Sequence, residues 1–166
     1  AFPHTLGGTA ALCWDDEALY LGLTSQRQPG ELRAKATERD GPLWEDDSFE
    51  VILSPKETPA PDFAHFIFNS TGVIFDSQGP QATFDADVQI ATSQSDDAWI
   101  AELRVPFAEL GVDAPSPDDV WRGNFCRDWP QDPPAKPTYT SWAYVGPSFT
   151  KDPERFGYIV FGEEPG

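Results

Sequence analysis

Apolar side chains recur at every second position in one segment after another of this chain, the spacing of a strand with one buried face. Leu19, Leu21 and Leu23 form one such face, Phe49, Val51 and Leu53 a second, and Trp99, Ala101, Leu103 and Val105 a third. Phe84, Ala86, Val88 and Ile90 make a fourth, opposed by Asp85, Asp87 and Gln89. The runs are separated by turn-forming combinations, in a chain that carries 17 Pro and 13 Gly. The pattern predicts a hairpin of strands at 9–14 and 18–24 around Asp15-Asp16-Glu17, then strands at 48–53 and 63–69. Ser70-Thr71-Gly72 turns the chain into 73–76, and further strands follow at 82–91, 98–105, 121–129, 138–144 and 157–162. Helical signals are short. Residues 31–39 have helical composition without an apolar stripe and read as an exposed loop, and 106–111 reads as one helical turn with Pro at its start and Gly at its end. About nine or ten short strands with turns between them give an all-β class, an antiparallel, jelly-roll-like β-sandwich with one short helical turn.

At 166 residues the chain is one domain, 1–166, and a domain of that size buries roughly 70% of its unfolded surface. It contains no Met, even at position 1, and reads as a piece excised from a longer protein. A net charge of −17 leaves no basic stripe for phosphates, which argues against nucleic acid and anionic membrane as partners. No run approaches the length of apolar sequence that crosses a bilayer. Cys13 and Cys126 both fall in expected strands and read either as one disulfide or as two buried thiols. With His4 and His65 the only histidines and no CxxC, a zinc site of the usual type is excluded.

The most informative stretch is Trp44-Glu45-Asp46-Asp47-Ser48-Phe49-Glu50-Val51-Ile52-Leu53. Alternation sends Glu50 to the face opposite the core, while Trp44 follows the turn Asp40-Gly41-Pro42 and need not be interior. An indole beside a carboxylate suits an uncharged polyhydroxylated ligand, a plate for its C–H face and an acceptor for its hydroxyls. The plainer alternative is that Trp44 covers the end of the sandwich and Glu50 is solvated. Trp14, Trp99 and Trp121 read as core. Trp129, before Pro130, is either a rim aromatic or an end cover. Asn69 shares the outward face of its strand with His65 and Ile67.

Six motifs in order carry a family resemblance over roughly residues 9 to 162. They are Trp14-Asp15-Asp16-Glu17-Ala18-Leu19-Tyr20-Leu21, the Trp44 to Glu50 stretch, Phe66-Ile67-Phe68-Asn69-Ser70-Thr71-Gly72, Trp99-Ile100-Ala101-Glu102-Leu103-Arg104-Val105-Pro106-Phe107, Trp121-Arg122-Gly123-Asn124-Phe125-Cys126-Arg127 and Asp152-Pro153-Glu154-Arg155-Phe156-Gly157. In this succession the chain resembles the family 9 carbohydrate-binding modules and their relatives. The resemblance implies a sugar-binding β-sandwich that is not an enzyme, appended to a polysaccharide-acting enzyme, secreted or at the cell surface. Its partners would be an oligo- or polysaccharide and the other domains of its parent protein. By motif position Trp44 and Trp142 would be the two indoles that hold a terminal sugar, Glu50 the carboxylate, and Asn69, Asn124 and Arg127 further polar ligands. Ile67 stands where binding members can place an arginine, which removes a charge-assisted donor.

The resemblance also implies structural calcium in many members, and Asp15, Asp16, Asp46, Asp47, Asp85 and Asp87 offer oxygen ligands, although no EF-hand spacing occurs. No cofactor is otherwise required. The alternatives are a glycoside hydrolase using a pair such as Glu50 and Glu102, a haem domain, which the lack of Met disfavours, and an inert domain that only packs against its parent.

Overall fold

In the computed structural model, which describes residues 7–27, 30–58, 61–79, 84–132, 136–146, 148 and 152–162, two antiparallel sheets pack face to face. The strands are β1 (Gly8–Trp14), β2 (Ala18–Gln26), β3 (Ser48–Ser54), β4 (Ala64–Asn69), β5 (Ile74–Gln78), β6 (Gln89–Gln94), β7 (Ala98–Pro106), β8 (Val120–Trp129), β9 (Thr138–Ser141) and β10 (Gly157–Val160). One sheet runs β1-β2-β7-β6 and the other β10-β8-β3-β4-β5, with β9 paired to the C-terminal half of β8. The all-β antiparallel sandwich expected from the alternation is therefore the fold, and the described residues contain three 3-10 turns where one helical turn was foreseen.

Alternate side chains of the paired strands enter the space between the sheets. Leu19, Leu21 and Leu23 of β2 and Trp99, Ala101, Leu103 and Val105 of β7 meet Phe49, Val51 and Leu53 of β3 and Phe66 and Phe68 of β4 in one core. Phe49 and Trp99 have ring centroids 4.2 Å apart across the layers, and Trp14 and Trp121 close one side of the core against Phe161. The turn Phe107–Leu110 drops Phe107 and Leu110 into the same core and ends at Gly111, whose φ of 68° is left-handed.

Three local expectations change. The strand foreseen at 82–91 begins only at Gln89 and runs to Gln94, with 82–83 outside the described residues. Upstream of it Ala86 donates its N–H to Asp76 and accepts from Arg39 at its carbonyl, so its backbone bonds side chains instead of a neighbouring strand. The segment 31–39 is not a free exposed loop, because Arg33, Lys35 and Ala36 donate backbone N–H groups to the carboxylates of Asp47 and Asp46. The strand foreseen at 138–144 ends at Ser141.

The cysteines are free. Cys13 pairs in register with outward Tyr20 and Cys126 with outward Glu50, so the two thiols sit on the outer faces of different sheets with the core between them. His4 lies outside the described residues.

Candidate functional site

The outward face of the larger sheet is the candidate site. β3 is its central strand and is buried on both faces. Its inward residues enter the core, while outward Ile52 lies under Phe63, Val145 and Phe156 in a second, smaller apolar cluster. That cover leaves a hollow of about 500 Å3 over the neighbouring part of the sheet, lined by Trp44, Glu50, His65, Ile67, Asp128, Tyr139, Ser141, Tyr144, Gly146 and Ser148. Its size is within the range of small-ligand sites.

Trp44 owes its position to the 3-10 turn Leu43–Glu45. Leu43 is fully buried and anchors the turn, which turns the next side chain outward. The Trp44 indole stands edge-on to Phe75, centroids 5.9 Å apart at 86°. One edge is thus fixed, and 49% of the residue remains exposed. The second aromatic wall comes from residues 142–146. Asn124 on β8 receives the N–H of Ala143 at 2.9 Å and donates to its carbonyl at 3.0 Å. Two residues on, Val145 is buried beside Ile52. Held between these anchors, Tyr144 projects and is 77% exposed.

The floor consists of buried ionisable groups from three adjacent strands. Glu50 (β3), His65 (β4) and Asp128 (β8) all point outward, and His65 Nε2 lies 2.7 Å from Glu50 Oε2. Ser48 donates to Asp128 Oδ2 at 2.9 Å. Burial raises the carboxyls of both Glu50 and Asp128, and Asp128 is raised further by the Glu50 charge beside it. Burial also lowers His65 to about 4, the nearby Asp128 charge opposing this, so the imidazole is neutral at physiological pH. Tyr139 is raised too, by partial burial and then by the charges of Asp128 and Glu50.

The residues expected to bind are not all brought together. Trp44 and Glu50 share the hollow. Asn69 is fully buried and does not line it, with Nδ2 given to Ala36 and Asp46 and Oδ1 taken by Thr71 and Val73. It shapes the turn after β4 and has no capacity left for a ligand. Asn124 is committed to Ala143. Arg127 points the other way, into the sandwich, where it pairs with buried Asp47 and lies over Trp99. Trp142 is also on that inner side. Its N–H bonds the carbonyl of Phe125, and its ring stacks at 5.5 Å on the ring of Phe125, an inward residue of β8. The indole rests against bare Gly157, where an added Cβ would come within 2.2 Å of it. It lines a different hollow, with Leu23, Phe49 and Val160, so Trp44 and Trp142 are separated by the sheet.

Of the residues that line the hollow, Asp128, Tyr139, Ser141 and Tyr144 were not singled out from the sequence, and His65 was placed on the outward face without a role. Alternation carried the signal for Asp128, because inward Trp121 and Phe125 on β8 put every even-numbered neighbour outward. No signal marked Tyr144, since regular pairing ends at Ser141.

Two other expectations meet the structure here. Glu102 pairs in register with outward Gly22 of the smaller sheet, so Glu50 and Glu102 lie on opposite outer faces and cannot flank one glycosidic bond. Of the six carboxylates offered for calcium, those of Asp15, Asp46 and Asp47 are already engaged within the protein. Asp46 and Asp47 are occupied by backbone N–H groups, Asn69 and Arg127, and Asp15 by Glu17, Ala18 and Tyr20. Among the described residues no three acidic, His or Cys side chains converge as a metal site would need.

The model of the carbohydrate family 9 binding domain-like family matches residues 2–163. No curated protein matches the chain. Among solved structures, a Bacteroides uniformis protein provisionally described as carbohydrate-binding superposes with a TM-score of 0.76 at 20% identity, over 96% of this chain and 80% of that one. A family 9 carbohydrate-binding module from Caldicellulosiruptor kristjanssonii, solved with cellotriose, gives 0.73 at 18% identity, over 98% of this chain and 78% of the other. The structure of a family 9 module from the same organism with glucose gives 0.71 at 18% identity, over 98% and 81%. These likenesses agree with the fold described above, and the match over 2–163 shows that the chain belongs to the carbohydrate family 9 binding domain-like family.

Proposed function

We propose that this protein binds carbohydrate without catalysis, seating a pyranose in the outward hollow between Trp44 and Tyr144 and over Glu50 and Asp128. The observation that carries this reading is the half-exposed Trp44 indole, braced by Phe75 beside a floor of buried acceptors. A sugar has an apolar C–H face that gains about 25 cal/mol for each Å2 an indole removes from water. Its hydroxyls donate to carboxylates at roughly 0.5–1.5 kcal/mol each, more where the acceptor is charged. Set against the cost of ordering a ligand, such a site binds in the micromolar to millimolar range. That strength suits an accessory module of a polysaccharide-acting enzyme, secreted or at the cell surface. The modules solved with cellotriose and glucose make glucosyl sugars the first ligands to try.

The test is a tryptophan-fluorescence titration with cellobiose on the parent, Trp44→Ala, Tyr144→Ala and Trp142→Ala. Trp44→Ala abolishes binding and Tyr144→Ala weakens it, whereas Trp142→Ala, on the other face, binds as the parent does. Loss of binding in Trp142→Ala alone would move the site to the inner hollow. Release of reducing sugar from polysaccharide by the purified chain would overturn the non-catalytic reading.

A further inference from the structure

The floor of the hollow holds, among the described residues, a buried pair of facing carboxylates. Glu50 and Asp128 lie diagonally across the β3–β8 pair, Asp128 opposite Ser48 and Glu50 opposite Cys126, close enough for their side chains to meet. Glu50 has His65, and Asp128 has Ser48 on Oδ2 alone. Asp128 is 1% exposed, and its Oδ1 is buried with no donor. The residue next to it, Arg127, is turned to the opposite face and engaged by Asp47. The described lining includes no Lys or Arg. An acceptor left unmatched in a buried floor is costly, and two facing carboxylates are more so. Either a shared proton or an external cation has to come between them.

We propose that the hollow selects sugars by charge and takes a pyranoside bearing a protonated amine, of the 2-amino-2-deoxy class, with the ammonium lying between Glu50 and Asp128. This rests on the reading of the hollow as the sugar site. An ammonium brings three donors and one positive charge, which matches the orphan Oδ1 and the two carboxylates together. Burial raises both carboxyls, the Glu50 charge raises Asp128 further, and the two acids share a hydrogen bond whose proton an ammonium would replace. A metal ion is the poorer occupant, because among the described residues no three acidic, His or Cys side chains are placed to hold one. Trp44 and Tyr144 then serve twice, stacking on the ring and facing a cation with their π surfaces. A uronate would bring a third carboxylate to this floor, in a chain whose net charge is already −17.

The experiment compares four disaccharides by calorimetry with the intact chain at about pH 6, where the amine is protonated. They are cellobiose, the fully deacetylated β-1,4-glucosamine disaccharide, its N-acetylated form, and a glucuronate-terminated disaccharide. The amine binds about tenfold or more tightly than cellobiose, on the scale of one charge-assisted pair, and the preference shrinks with added salt. Acetylation of the ligand, which leaves the protein untouched, removes the advantage, and the uronate binds weakest. Asp128→Asn brings the amine-to-cellobiose ratio toward one. Equal affinity for the amine and cellobiose overturns this inference and leaves the sugar site standing. If none of the four binds, the sugar-site reading fails and this inference falls with it.

Discussion

Replacing Arg127 with Met separates a fold-holding role from a ligand-holding one. The guanidinium lies between the sheets, paired with Asp47 and set 4.8 Å from the Trp99 ring centroid, and both charged residues are buried. Arg127→Met leaves the Asp47 carboxylate with one protein donor, the Arg33 N–H at 2.8 Å. Removing one partner of a buried pair costs about 3–5 kcal/mol, and the lost cation–π contact adds up to about 2. Domains hold only about 5–15 kcal/mol in total, and one of this size loses roughly 2–4 °C of Tm per kcal/mol. The single variant is therefore expected to melt about 10 °C or more below the parent. Combining it with Asp47→Asn removes the stranded charge, keeps a carbonyl for Arg33, and restores most of the loss, giving a coupling of about 2 kcal/mol or more. Urea denaturation followed by circular dichroism measures all four corners of the cycle. Sugar affinity of the folded single variant stays at the parental value, because Arg127 points away from the hollow. A variant that melts within about 3 °C of the parent yet loses tenfold in affinity would refute the reasoning and return Arg127 to the site.

Three shorter predictions test the parts around it. Asn124→Ala strands the N–H and carbonyl of Ala143 and frees the segment that carries Tyr144; it should cost about 2–3 kcal/mol and weaken sugar binding several-fold, read by thermal melting and fluorescence titration. The two thiols differ, Cys13 being exposed and Cys126 buried, with its thiol pushed well above the ordinary value by burial and by the charges of Glu50 and Asp128. A thiol reagent should therefore titrate one cysteine in the native chain and two in urea, with or without prior reduction. Burial lowers His65 to about 4, so as pH falls from its ordinary range toward that value the unfolded chain binds more protons and stability drops, on the order of 3 kcal/mol for this group. Glu50 and Asp128, raised by burial, act in the opposite sense, and the comparison that isolates the histidine is His65→Gln against the parent, whose stability difference should change by that amount between about pH 7 and pH 4.

Much of the fold was legible because the alternation was honoured wherever a strand formed. Phe49, Val51 and Leu53 are core, and Glu50 and Ile52 face out, as their spacing demands. The pattern misled where side chains took over the role of a neighbouring strand. At Ala86 the apolar periodicity is real, and the side chain is buried, but the backbone bonds Asp76 and Arg39. The same cause governs 31–39, whose polar sequence reads as solvated while Asp46 and Asp47 hold its amides. In the site, Trp44 and Glu50 could be placed from turn chemistry and parity. Trp142 and Tyr144 could not be told apart, since beyond Ser141 the chain follows the Asn124 clamp and the Val145 anchor instead of strand parity. Asn69 and Arg127 show the limit of reading polar residues as ligands, because in both the hydrogen-bonding capacity is spent inside the protein.

The floor residues stand where polarity is costly. An exposed acid can be solvated at little expense, but Glu50 and Asp128 sit on adjacent central strands, nearly sealed from water, with an acceptor unfilled. For stability alone, apolar side chains of similar size would do better there, as they do at neighbouring Ile52. Sequences drift toward such replacements unless the polar group does something that packing cannot. Central strands are also the most rigid part of a sandwich, so acceptors fixed on them are oriented before a ligand arrives, and little freedom remains to be lost on binding. The aromatic walls have the opposite character, standing on a 3-10 turn and an irregular segment that can vary without disturbing the sheet. A rigid acceptor floor beneath replaceable aromatic walls divides the work. On the proposed reading, the strands would set what charge and hydrogen-bonding pattern is admitted, and the loops the shape of the sugar that is held.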